Sequence, residues 1–143
     1  DVSVRAQVLN LMKDAQSKLN VSYLFVSHDM STVRYLCDKV AVMYLGRLVE
    51  FGSRHDIFEH PLHPYTKALL SAVPIPDVGV KRERILLEGD VPSPLHPPAG
   101  CRFSNRCPYR QEGCSHISGD LIQVNETHAV SCPYAARPEA PTK

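Results

Sequence analysis

Two groups of residues have the types and spacing that chemistry needs. The first is Ser27-His28-Asp29, which follows directly on Val21-Ser22-Tyr23-Leu24-Phe25-Val26, a short apolar run rich in β-branched and aromatic residues. Such a run reads as a strand buried on both faces of a parallel sheet, and binding crevices in α/β proteins form at the carboxyl ends of those strands. A histidine there is suited to contact a phosphate or a positioned water near neutral pH. The plainer reading is an aspartate that caps the next helix beside a surface histidine.

The second group is Cys101, Cys107, Cys114 and Cys132, separated by five, six and seventeen residues. Four thiols in a loop-rich segment meet the ligand count of a tetrahedral metal site or a cubane cluster, and either would crosslink a stretch that has little core of its own. No pair has the two-residue spacing of a zinc knuckle, which weighs against zinc. Two disulfides, or cysteines without any metal, are the other readings. Arg102, Arg106 and Arg110 interleave with the first cysteines and carry the charge that would offset thiolates, or are ordinary surface cations. His116 and His128 are substitute ligands if one cysteine is displaced. Cys37 shares an apolar helix face with Val33 and Leu36 and reads as an inert buried thiol. His55, His60, His63 and His96 read as backbone caps or surface residues, three of them among prolines.

The elements that must position these groups can be read locally. Val4, Val8, Leu11, Ala15 and Leu19 form one face of a helix of about five turns, with Asn20 at its C-cap. Asp29 or Ser31 starts a second helix over about Met30 to Cys37. Lys39 to Tyr44 reads as another buried strand, and Gly46-Arg47 turns it into Leu48-Val49-Glu50-Phe51, a hairpin over 39–52. Ser53 caps a short helix broken before Pro61, and Pro64 opens another through Val73. The expected fold class is α/β: residues 1–53 end a sheet domain, 54–74 connect, and 75–143 form a Pro- and Cys-rich extension whose last stretch from Ala135 frays.

Composition limits the function classes. Sixteen Lys and Arg against 15 Asp and Glu leave a net charge of +1, too little basic surplus for a charge-driven nucleic-acid binder. The longest apolar runs, such as Val40 to Leu45, reach about a third of the roughly 20 residues that span a bilayer. The opening Asp1-Val2-Ser3-Val4-Arg5 has neither the basic start nor the apolar centre of a signal peptide, and reads as a cut inside a larger protein. Asn125-Glu126-Thr127 fits the glycosylation pattern, which a cytoplasmic location would leave unused.

The motifs in order resemble a known family. Leu24-Phe25-Val26-Ser27-His28-Asp29-Met30, Asp38-Lys39-Val40-Ala41-Val42-Met43 and Gly46-Arg47-Leu48-Val49-Glu50-Phe51-Gly52 resemble the end of an ABC transporter nucleotide-binding domain. His60-Pro61-Leu62-His63-Pro64-Tyr65-Thr66 and Gly89-Asp90-Val91-Pro92-Ser93-Pro94 are similar to ATP-binding subunits of dipeptide and oligopeptide importers. The resemblance implies that His28 is the switch histidine and Asp1 the D-loop aspartate. It implies ATP and Mg²⁺ as ligands of the full-length protein, and a cytoplasmic-face location. It also implies a second ATPase subunit, two transmembrane permease subunits and an extracytoplasmic peptide-binding protein as partners. Some members carry a [4Fe–4S] cluster on cysteines in this pattern, so Cys101, Cys107, Cys114 and Cys132 are its expected ligands. The glycine-rich phosphate loop, the signature and the Walker B acid are not in the sequence, so the fragment by itself is expected neither to hydrolyse ATP nor to bind it measurably. The alternative is a non-enzymatic metal-binding module that stabilises an ATPase dimer. An α/β end without its beginning should also expose an apolar face and self-associate.

Overall fold

A computed structural model describes residues 2–73 and 84–136, in two compact units, 1–38 and 39–143. Asp1 and most of the tail from Ala135 lie outside the described residues.

In the first unit, helix α1 (Val2–Leu19) has the length expected of its apolar repeat, and Asn20 ends it with φ 52°. Helix α2 (Met30–Leu36) is capped by Asp29. The polar side of α1 meets α2: the Arg5 guanidinium donates to the Asp29 carboxylate and, over 2.6 Å, to Thr32 Oγ1, and Lys13 Nζ lies 4.2 Å from the centre of the Tyr35 ring. The apolar stripe is left outward, Val4, Val8, Leu11 and Leu19 all being more than half exposed.

Residues 21–27 correct the expectation of a buried strand. They take no regular secondary structure, and Leu24 and Val26 are 95% and 89% exposed. A strand is completed by neighbours that accept and donate its backbone hydrogen bonds, and among the described residues this run pairs with none. Apolar character marks it as something to be covered, without supplying the cover.

The second unit is built on an antiparallel sheet rather than a parallel one. Strands β1 (Lys39–Tyr44), β2 (Arg47–Ser53), β3 (Ile122–Gln123) and β4 (Ala129–Val130) lie in the order β1-β2-β4-β3. The predicted hairpin is β1-β2, turned at Leu45 and Gly46, whose φ of 46° and 75° are the paired positive values that a tight two-residue hairpin demands. β1 is buried on one face only, Val40, Val42 and Tyr44 inward and Lys39, Ala41 and Met43 outward, which corrects its reading as a strand buried on both sides. Val42, Glu50 and Val130 form one buried cross-strand row. β3 and β4 come from the Cys-rich extension, so that segment completes the sheet.

Helix α3 (Arg54–Glu59) starts with a capping box: Ser53 Oγ accepts from Asp56 N–H at 3.1 Å, and Asp56 accepts from Ser53 N–H at 3.2 Å. Its Ile57 and Phe58 are buried. Helix α4 (Pro64–Ser71) has Pro at its first position, where the missing N–H is not needed. His63 Nδ1 caps it by accepting from Tyr65 N–H at 3.1 Å.

Candidate functional site

The His28 region is simple in geometry. Asp29 Oδ1 accepts from Ser31 N–H at 2.9 Å and Thr32 N–H at 3.3 Å, while Oδ2 accepts from Thr32 Oγ–H at 3.0 Å. Ser27 Oγ accepts from Asp29 N–H at 3.0 Å. The serine and the aspartate are therefore occupied in shaping the turn, and His28 between them stands exposed at the mouth of α2. An imidazole held out on a capped turn is free to meet a ligand that approaches that end.

The four cysteines lie within electrostatic reach of one another. All five cysteines of the chain are free thiols, and Cys101, Cys107 and Cys132 each feel the charge of others in the group of four. Burial is the main influence and pushes all three thiols up, Cys107 to about 11, with mutual repulsion adding to it. Backbone N–H groups oppose it, those of Phe103 and Ser104 at Cys101, Tyr109 at Cys107, and Tyr134 and Ala135 at Cys132. Gln111 N–H donates to Cys114 Sγ at 3.4 Å. Each sulfur thus sits in a turn that directs an amide toward it, which favours the thiolate once a cation supplies the missing charge. Left without one, Cys101, Cys107 and Cys132 stay protonated and weakly nucleophilic at neutral pH. Among the described residues no group of three or more His, Cys, Asp or Glu side chains is spaced to hold a metal ion. Sulfur is the donor type that soft metals take, and the described positions do not bring three such donors to ligand spacing.

Two devices hold these turns. Phe103, 1% exposed, inserts its ring among Tyr44, Tyr65 and His63, with centroids at 5.2, 5.5 and 5.7 Å. Gly100, at φ +71°, lets the chain pass against the backbone of Cys114 and Ser115, where any β-carbon would collide; Cys101 N–H there donates to Cys114 C=O at 2.9 Å. Arg102 donates to the Leu45 carbonyl and Arg106 to the Gly89 carbonyl at 3.2 Å, so two of the three arginines tether backbone.

His128, named in the sequence as a substitute ligand, is engaged elsewhere: its Nε2 lies 2.7 Å from Glu50 Oε1. The same carboxylate accepts from Leu62 N–H at 2.7 Å and His63 N–H at 3.0 Å. Glu50 is fully buried, and pattern reading passes over it because it sits inside the apolar run Leu48–Phe51; a charged residue at an inward strand position was the available signal. Beside it, Asp56 accepts from Ser53 Oγ–H at 2.6 Å and Thr127 Oγ–H at 2.7 Å, bonds that hold its carboxyl below the ordinary range, Ser53 foremost. His63, buried with its Nδ1 in a cap, is pushed down to about 4 by desolvation. His116 meets its neighbour Ser115, 3.0 Å away, and Cys37 is raised mainly by burial.

A hairpin-based antiparallel sheet, a proline-framed helix pair and a four-thiol loop segment woven into the same sheet make up the second unit. Residues 49–114 match the family described as the oligopeptide/dipeptide transporter, C-terminal region. Over 92% of its length the chain is 48% identical to the oligopeptide transport ATP-binding protein AppF of Bacillus subtilis and 52% identical to the dipeptide transport ATP-binding protein DppF of Haemophilus influenzae. It is 55% identical, over 85% of its length, to the DppF of Escherichia coli. It covers 41%, 40% and 36% of those three proteins, and so spans about two fifths of the relatives it matches. Among the described residues no helix is long and apolar enough to cross a membrane.

Proposed function

We propose that this chain is the C-terminal part of an ATP-hydrolysing subunit that energises the import of dipeptides or oligopeptides. The observation that carries the reading is the extent of its likeness to AppF and DppF, running through both the His28 turn and the cysteine segment. In the whole protein His28 contacts the γ-phosphate of Mg-ATP and the attacking water, and Asp1 couples two ATPase subunits across their interface. The exposed position of His28 on a turn whose neighbours Ser27 and Asp29 are hydrogen-bonded supports such a role. The subunit works on the cytoplasmic face with a second ATPase subunit, two permease subunits and a peptide-binding protein. The 143-residue fragment has no turnover by itself, for want of the phosphate loop.

A second role is carried by the thiol group. Cys101, Cys107, Cys114 and Cys132 are the ligands of a [4Fe–4S] cluster, in preference to zinc, and the amides directed at their sulfurs stabilise the thiolates. The cluster would supply crosslinking to a segment with little core.

The catalytic reading is tested by His28→Ala in the intact protein. Hydrolysis should fall at least about tenfold with ATP affinity nearly unchanged, because a group acting on the γ-phosphate and water contributes mainly in the transition state. Unaltered turnover would remove His28 from the site.

A further inference from the structure

Both halves of the thiol group hang on the surroundings of one buried side chain. Glu50 is central in the sheet, between Val42 and Val130 in the buried cross-strand row, and its carboxylate makes three hydrogen bonds in two directions. On one side it takes Nε2–H of His128, the diagonal neighbour across β2 and β4. His128 lies four residues before Cys132, with only β4 and Ser131 between, and Ser131 N–H is itself bonded to Val49 C=O at 2.9 Å. On the other side it takes the N–H groups of Leu62 and His63. The His63 ring packs on Phe103, two residues after Cys101, and the Phe103 turn carries an amide directed at the Cys101 sulfur.

A carboxylate buried completely, in a row otherwise made of valines, is costly to desolvate and is kept where it organises something. The three donors come from segments far apart in sequence, the link between α3 and α4 and the residue just before β4. Gly52 marks how closely they approach: a β-carbon there would stand 3.1 Å from the His128 ring and 3.3 Å from the Thr127 carbonyl. We infer that Glu50 is the positioning residue of the four-cysteine site, registering Cys132 against Cys101 by holding His128 with one oxygen and the backbone under His63 with both. Glu50 touches no sulfur. It acts through His128 on the fourth cysteine and through His63 and Phe103 on the first, and it does so whatever the thiols ligate. The inference rests on the four cysteines forming one site.

Glutamine is the informative replacement. It preserves shape but has one oxygen for three donors, and its NH₂ must face a donor N–H or the imidazole N–H. The test is site-resolved alkylation of the intact native protein with iodoacetamide, each cysteine read by peptide mass spectrometry and scaled to Cys37, which stands outside the group. Glu50→Gln and His128→Gln should each raise labelling of Cys132 at least about tenfold relative to Cys37, since local opening governs access. Glu50→Gln should also raise Cys101, and His128→Gln should leave it near wild type. Val42→Ala, a cavity change in the same row, serves as the destabilised control and should raise Cys101, Cys107, Cys114 and Cys132 alike. If Glu50→Gln does not fold, Glu50→Asp, one methylene short of His128, is read in the same way. Labelling of Cys132 unchanged, or raised only in step with Cys107 and Cys114 as in the control, overturns the assignment. Cys114→Ser separates the two ideas: if it exposes the other three cysteines while the Glu50 variants do not, the shared site stands and the role of Glu50 falls; if it too changes nothing, both fall.

Discussion

Lowering the pH should unfasten the second unit through His63. The ring is 1% exposed and its Nδ1 must be unprotonated to accept the Tyr65 N–H that starts α4. Burial holds its pKa near about 4 in the folded chain, against an ordinary 6.5 when unfolded. A histidine whose folded value is depressed binds fewer protons folded than unfolded, so its contribution is complete above about pH 6.5 and is lost as the pH falls toward 4. Linkage gives a loss of about 2 kcal/mol between pH 7 and 5, approaching about 3 kcal/mol once the pH is below both values. The assay is urea unfolding at pH 7 and 5, followed by tyrosine fluorescence; there is no Trp, and Tyr44 and Tyr65 are stacked 4.8 Å apart beside Phe103. His63→Asn keeps a capping acceptor but does not titrate. Other titrating groups act on both proteins and largely cancel in the difference. The variant should therefore lose about 2 kcal/mol less than wild type between the two pH values. Equal losses would refute the argument that the buried neutral ring carries the pH dependence.

Prepared without oxygen, the intact protein should be brown, with a band near roughly 400 nm and about four irons, as a cubane on four cysteines requires. Serine at any of Cys101, Cys107, Cys114 or Cys132 should bleach it and serine at Cys37 should not; a colourless protein with one zinc would transfer the site to zinc, and one with neither metal would remove the cofactor. The isolated chain, with Leu24 and Val26 almost wholly exposed and an open stripe on α1, should self-associate. Sedimentation should show concentration-dependent oligomers that Leu24→Lys with Val26→Glu reduces, and a monomer at every concentration would mean that this surface is not adhesive.

The features legible in the sequence are local. Asp29, Ser53 and Pro64 cap or open helices through bonds and dihedrals that span three or four residues, and the hairpin joins runs adjacent in the chain, though its turn falls at Leu45-Gly46, one residue before the Gly46-Arg47 that the sequence suggested. The ordered motifs also pointed to the family that the comparison of residues 49–114 then matched. Four cysteines in one loop-rich segment were enough to suggest a shared site, because ligand count is a property of composition. What only the tertiary structure decided depends on partners distant in sequence. Whether 21–27 is a strand depends on neighbours outside that run, so its apolar pattern could not settle it. The pairing of β4 with β2, the burial of Glu50 and its grip on His128, 78 residues away, leave no periodic trace, since a hydrogen bond closes a loop of any length if the packing around it supplies the entropy of closure. His63 looked like a proline-flanked cap and is one; that its ring also supports Phe103, and so the cysteine turn, follows from how the sheet, the helix pair and the extension fill one core.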